Sequence, residues 1–412
     1  MEVLFPCCCG LDVHKKELSA CVIVTPPAGH PQKEARKFAT TTDELLRLAA
    51  WLKAKGVTHV AMESTGVYWQ PVWNILEEEP GFTLLLANAR HIKAVPGRKS
   101  DVRDCEWIAD LLRHGLLKGS FVPNRQERET RELVRYRSAL TRERTAEVNR
   151  LQKTLEGANI KLGVVASDVV GASGREMLEQ MVAGATDVAA LAELARGSLR
   201  QKMPELQRAL SGRFGAHQRF LVAQQLAHID ELDQRLAELD AEIEARLRPF
   251  AEAIVQLDAI PGVGQRTAEV IVAEVGMELS RFPTANHLAS WAGMCPGNNE
   301  SAGKRLSGRT RKGNRYLRSA LVEAAHAAAR SKNSYLGAQF HRLCARRGAN
   351  KATIAVGHSI LVIAYHLLKE PESIYRDLGL HYFDERDRQA TERRLVHRLE
   401  GLGYRVTLEP AA

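Results

Sequence analysis

No apolar run in this 412-residue chain reaches the ~18–20 residues that would cross a bilayer. The opening stretch, MEVLFPCCCGLDVHKK, has no positively charged lead before its apolar residues and so does not read as a signal peptide. The seven cysteines, Cys7, Cys8, Cys9, Cys21, Cys105, Cys295 and Cys344, include no CxxC pair. That argues against a zinc site and against a disulfide framework, and leaves a reducing cytoplasm as the expected setting. Internal repeats and low-complexity tracts are absent, and no helix-turn-helix or zinc-finger reader of DNA stands out.

The remainder is ordinary globular composition, 45% hydrophobic and 26% charged. A net charge of +9 and a pI near 9.2 favour a polyanionic partner without saying which. The length implies two or three domains plus appendages. Residues 1–124 alternate between strand and helix patterns in the order three strands, helix, strand, helix, strand, helix. That order predicts a mixed sheet covered by helices, an α/β unit. Residues 125–256 read as a helical linker region, highly charged over 125–160 and richer in Ala, Gly and Ser, with shorter helices, over 161–215. Within them Val222, Leu226, Ile229, Leu232, Leu236, Leu239 and Ile243 repeat at spacings of three and four, a heptad seam. The seam fits a coiled coil through which the chain self-associates, or an amphipathic helix on a globular core. Residues 257–370 form a second compact unit, mostly helical. Residues 371–412 read as a tail with a helix at ATERRLVHRLEGLG and a strand-like YRVTLEP.

Four carboxylates stand out in the first unit. Asp12 ends the first strand pattern and Glu63 ends the fourth, while Asp101 and Asp104 fall i and i+3 on a helix starting near Ser100 and so share one face. Acids at strand ends with a helix-borne pair suit a divalent-metal phosphoryl-transfer site, with oxygen donors matched to Mg²⁺ or Mn²⁺. The plainer reading is that Asp101 or Asp104 caps a helix.

In the second unit, AIPGVGQRTAEVIVAEVG reads as helix, glycine turn, helix. The turn at Gly262 and Gly264 would leave backbone N–H groups free for a phosphate, in the manner of a helix-hairpin-helix element; an ordinary helical hairpin is the alternative. Lys304, Arg305, Arg309, Arg311, Lys312, Arg315 and Arg318 follow with no acid among them, interrupted by glycine and serine, and read as a flexible basic loop for a nucleic-acid backbone. Ser301 precedes this loop in NNESAG, and by residue type alone it is a turn serine.

The strings LDVHKKEL, MESTGVYW, HIKAVPGRKSDVRDCEWIADLLRHGLL and WAGMCPGNNESAGKRLSGRTRKGNRYLRSALVEAA resemble the DEDD transposases of the IS one-ten insertion-sequence family. The resemblance runs along nearly the whole chain. It implies a RuvC-like, ribonuclease-H-fold domain whose Asp12, Glu63, Asp101 and Asp104 hold the metal ions. It also implies a C-terminal serine domain in which Ser301 is the nucleophile and forms a phosphoserine–DNA intermediate. Ser290 and Ser307 rank below Ser301. Donor and target double-stranded DNA, a structured guide RNA of the element, and a dimer or tetramer that unites carboxylates and serine from different subunits follow from the same resemblance. So does a cytoplasmic, nucleoid-associated setting. The heptad helix is where that pairing is expected. The rival reading is a RuvC-like structure-specific endonuclease in which metal-activated water replaces the serine.

Overall fold

The computed structural model describes every residue except 1, 28–29, 65, 89–91, 93–103, 298, 302–303, 311 and 409–412, with the backbone alone at 299–301 and 304–307. Asp101 and Arg311 therefore lie outside the described residues. The chain divides into two compact units, Met1–Arg125 and Gln126–Ala412.

The first unit is built on β1 (Cys7–Val13), β2 (Glu17–Val24), β3 (Gln32–Ala39), β4 (His59–Glu63), β5 (Thr83–Ala87) and the short β6 (Gly119–Ser120). They form one sheet in the order β3-β2-β1-β4-β5-β6. The first three strands meander antiparallel, and β4 and β5 run parallel to β1. Strand alternation sends Cys9, Leu11, Val13, Val60 and Met62 to one face. There they meet α1 (Thr42–Ala54) and α2 (Trp69–Glu78) through Leu45, Leu48, Leu52, Trp73 and Leu76. The opposite face carries Cys8, Cys21, Ile23 and Ala61, packed against Ile108, Ala109 and Leu112 of α3 (Asp104–Arg113). Strands buried on both faces read as apolar runs, which is why β1 and β4 are legible in the sequence.

The second unit starts on a long helix, α4 (Arg125–Gly157). Four short helices follow: α5 (Leu162–Val165), α6 (Ala172–Ala183), α7 (Val188–Glu193) and α8 (Met203–Leu210). The chain then returns along α9 (Ala216–Leu247). The expected heptad seam is there, but its partner is α4 of the same chain. Val222, Leu226 and Ile229 share a core with Leu151 and Leu155, and Leu232 and Leu236 pack on Leu140. Flanking ion pairs fix the register: Arg144 holds Asp233, Arg137 holds Asp240, and Arg246 holds Glu129. Within the chain the seam thus behaves as the amphipathic helix on a core that was the alternative to a self-associating coiled coil.

Beyond the arm lie α10 (Ala251–Asp258), α11 (Gln265–Val275), α12 (Ala285–Trp291), the hairpin β7 (Asn299–Ser301) and β8 (Lys304–Ser307), α13 (Arg315–Ala328), α14 (Tyr335–Arg347) and α15 (Ala349–Lys369). Two tail helices, α16 (Tyr382–Arg386) and α17 (Arg388–Glu400), close the order. The expected loop from Lys304 to Arg318 is instead a strand, a connection and the first turn of α13. The alternating residues of KRLS pair with β7, and Asn314 starts the helix. The expected strand at the C-terminus does not form over residues 404–408, which find no partner strand. Among the described residues α15 alone is long and apolar enough to cross a membrane, and its Val356, Ile360, Leu361 and Ala364 are buried in the core of this unit.

Leu232→Ala is expected to cost about 2–5 kcal/mol. The fall in melting temperature should be the same at low and high protein concentration. A concentration-dependent fall would show the seam to lie between chains.

Candidate active site

Asp12 and Glu63 are neighbours because β1 and β4 are parallel and in register, with Leu11 opposite Met62. The next residue on each strand carries the acid. Both acids follow the alternation of Cys8 and Ala61, so both stand on the α3 side of the sheet. Gly10 explains how α3 reaches them. A Cβ on Gly10 would lie 2.3 Å from the Cys105 carbonyl oxygen and 2.4 Å from the Ala109 nitrogen. The helix backbone thus rests directly on β1, and Asp104 at its described start is brought to the strand ends. Asp12 is 22% exposed and is held by His14, whose Nε2 lies 3.1 Å from Oδ2. Burial pushes the Asp12 carboxyl above its ordinary range; His14 opposes this, while the charges of Asp104 and Glu63 add to it. Three of the four sequence-derived carboxylates therefore share one electrostatic neighbourhood. Among the described residues, no three His, Cys, Asp or Glu side chains are close enough together to hold an ion.

His14 was missed by sequence reasoning. Its signal was present in LDVHKK, since a residue two beyond Asp12 in an extended segment returns to the same side.

Ser301 is the last residue of β7, opposite Lys304 of β8, and the two residues joining them lie outside the described set. The base of the hairpin is firmly tied. Pro296 pairs with Thr310, and the Gly297 N–H donates to the Arg309 carbonyl at 2.8 Å. Arg318 donates to Thr310 Oγ1 at 2.7 Å and to the Gly293 carbonyl at 3.3 Å. Asn314 caps α13, accepting from the N–H groups of Tyr316 and Leu317. Its Nδ2 donates to Glu274 Oε2 at 2.6 Å. Glu274 is fully buried and takes both arms of the Arg135 guanidinium at 2.6 and 2.7 Å. Arg131 donates to the carbonyls of Ala273 and Glu274 at the end of α11. Burial draws the Arg131 guanidinium down to about 10, still charged at neutral pH. The acid within the apolar string VIVAEVG was the available sign of this network.

The basic set divides. Arg309, Lys312 and Arg315 are exposed, with the Arg315 guanidinium 4.7 Å from the Tyr316 ring. Lys304 and Arg305 are placed by backbone only, on β8. Arg318 is half-buried and holds the fold together. Gly262 also has a packing job: at φ +89° a Cβ there would meet the Ala324 carbonyl oxygen at 2.3 Å. The turn is therefore pressed on α13 at Gly262, while exposed Gly264 opens α11 without a side-chain cap.

Two family descriptions match the chain. Residues 9–160 match the DEDD IS110 transposase type, and residues 255–342 match the Transposase IS116/IS110/IS902 family. The first span holds all four carboxylates and the second holds Ser301 and the basic set. Three curated relatives come from bacteria. A probable family 20 transposase of Pseudomonas aeruginosa is 28% identical over 324 residues, covering 77% of this chain and 85% of its own. The transposase for insertion sequence element IS1111A of Coxiella burnetii is 24% identical over 300 residues, 71% and 73% respectively. An insertion element IS110 uncharacterized 43.6 kDa protein of Streptomyces coelicolor is 44% identical over 97 residues, 23% of each chain.

Two measurements check the carboxylate geometry. Gly10→Ala should lift α3 from the sheet and cost about 1–3 kcal/mol, more than the ordinary effect of adding a methyl to a strand. The raised pKa of Asp12 means that the folded state binds the proton more tightly than the unfolded one. Its ionisation therefore costs stability as pH rises from the unfolded through the folded value, and below both values the effect vanishes. Asp12→Asn should raise the melting temperature of the metal-free protein at neutral pH and lose that advantage in acid. A lower melting temperature at neutral pH would contradict the crowding of charge.

Proposed function

Because this chain belongs to the IS110 family of insertion-sequence transposases, we propose that it cuts and rejoins DNA through the strand-end carboxylates and Ser301. The observation that carries this reading is the side-by-side placing of Asp12 and Glu63 at the ends of β1 and β4, with the charge of Asp104 acting on Asp12. The strand order, an antiparallel β1–β3 meander followed by parallel β4 and β5, supports a RuvC-like ribonuclease-H fold for the first unit.

The donor types suit a hard divalent ion, Mg²⁺ or Mn²⁺: they are all carboxylate oxygen, and Asp12 is disfavoured as an anion first by burial and then by the charges of Asp104 and Glu63. Asp12, Glu63, Asp104 and, by the family pattern, Asp101 would hold it. A bound ion would supply Lewis-acid stabilisation to the phosphate oxygens. His14 orients the Asp12 carboxylate through its 3.1 Å contact. The Ser301 hydroxyl loses its proton as its oxygen attacks phosphorus, the bond to the departing strand breaks, and that strand's oxygen takes up a proton and leaves as a free hydroxyl. The number of phosphoester bonds is unchanged, so resealing needs no ATP. Arg309, Lys312 and Arg315 are exposed beside the hairpin and offset phosphate charge, as Lys304, Arg305 and Arg311 do by the family pattern. Gly264 adds the open N–H groups of α11. Target choice is delegated to a structured RNA of the element and the enzyme acts as a homo-oligomer. Both statements rest on family membership, and the basic surface is compatible with each.

The test supplies the element with its native flanks in cells together with wild type, Ser301→Ala or Asp12→Ala. Amplification across the abutted element ends is the readout. Wild type should give the junction, and each variant should reduce it by more than about a hundredfold. Retained recombination in Ser301→Ala, with loss in Asp12→Ala, would replace the serine by metal-activated water.

A further inference from the structure

We propose that the groove between α14 and the tail helices α16 and α17 holds an unpaired nucleotide of a single-stranded nucleic acid. The proposal rests on the reading of this chain as a nucleic-acid enzyme and adds a site to it. The groove has a volume of about 520 Å³, which suits one nucleotide better than a duplex. Its charged wall is Arg342 and Arg346 from α14 and Arg394 from α17. Its apolar shelf is Leu380 and Phe383, with Ala338 and Ala345 behind.

The arginines are under-neutralised. The one carboxylate lining the groove is Asp384, whose Oδ1 lies 3.4 Å from Arg342 Nη1 and 3.9 Å from Arg394 Nη2. Both contacts are longer than the bidentate pair of Arg175 with Asp230, at 2.6 and 2.8 Å. One acid oxygen is thus stretched between two guanidiniums that could each take a phosphate oxygen in a shorter, forked contact. Arg346 is exposed and adds a third positive charge.

The shelf decides between nucleic-acid forms. Phe383 is stacked on Tyr335 of α14 with centroids 5.1 Å apart and planes 18° from parallel, so its ring is rigidly presented. The Arg342 guanidinium lies 5.7 Å from the same ring. An aromatic beside arginines is the arrangement on which successive bases of a single strand stack. A duplex keeps its bases stacked inside and would leave Leu380, 42% exposed, and Phe383 uncovered.

The experiment measures binding of short labelled oligothymidylate, oligouridylate and a duplex to the full chain by fluorescence anisotropy. Arg346→Gln combined with Arg394→Gln should weaken single-strand binding about tenfold, and lower the slope of log affinity against log salt by about 1.4. Phe383→Leu should weaken it about tenfold while leaving duplex binding nearly unchanged. Asp384→Asn should tighten single-strand binding, an effect that misfolding cannot produce. Tighter binding of the uridylate identifies RNA as the occupant, and equal or reversed binding identifies single-stranded DNA. The groove is overturned if the variants bind single strands like wild type, lose duplex binding equally, or lose binding of an acidic peptide to the same degree. If wild type recombines and binds duplex while the groove variants bind single strands normally, the groove alone is wrong. If wild type binds no nucleic acid, the underlying reading is wrong as well.

Discussion

Glu274 is wholly enclosed, and a carboxylate with no water around it must be paired or give up its charge. In this chain the pairing draws three distant segments to one point. Arg135 comes from the long helix α4, Glu274 ends α11, and Asn314 begins α13. Removing any one partner leaves a buried charge or an uncapped helix. The serine hairpin hangs on this knot, because residues 292–297 and 309–318 are sewn together beside it through Arg318, Thr310 and the Gly297 amide. The segment that carries Ser301 is thereby tethered at its base, which is what the role proposed for its hydroxyl requires.

The first unit uses a steric constraint for the same purpose. Its acids belong to different elements, and only close approach of backbones unites them. Gly10 has no side chain, so α3 can lie on β1 with the Cys105 carbonyl where a methyl would stand. The resulting concentration of negative charge is unfavourable in the free protein, and it is this unfavourable charge that a divalent cation would relieve.

Much of this could be seen in the residues alone. The apolar strings around Cys9–Val13 and Val60–Met62 announce buried strands, and the acids at their ends are then adjacent by simple parallel registry. The heptad seam from Val222 to Ile243 was equally plain, but what covers it was not. Periodicity reports that a helix has an apolar stripe; it carries no information on whose stripe covers it. Leu140, Leu151 and Leu155 of α4 do so, in a helix whose high charge disguised its inner face. The hydrogen bonds of Arg318 to Thr310 and Gly293 could not be foreseen, because charge is legible and burial is not. Gly262 was read as a turn, and its close contact with α13 was not legible, because a positive-φ glycine serves both.

By itself the sequence determined the element order of the first unit, its mixed sheet and the family to which the chain belongs. These depend on local patterns, on alternation, turn residues and short strings, which survive being read in one dimension. Only the tertiary structure decided which face each side chain shows and what it touches. It decided that His14 holds Asp12, that Glu274 locks the serine hairpin to α4, that α9 folds back on its own chain, and that Arg342, Arg346 and Arg394 share one underfilled groove. Those outcomes follow from contacts between residues far apart in sequence, where the cost of burying charge and the exclusion of overlapping atoms select one arrangement among many that the local patterns would allow.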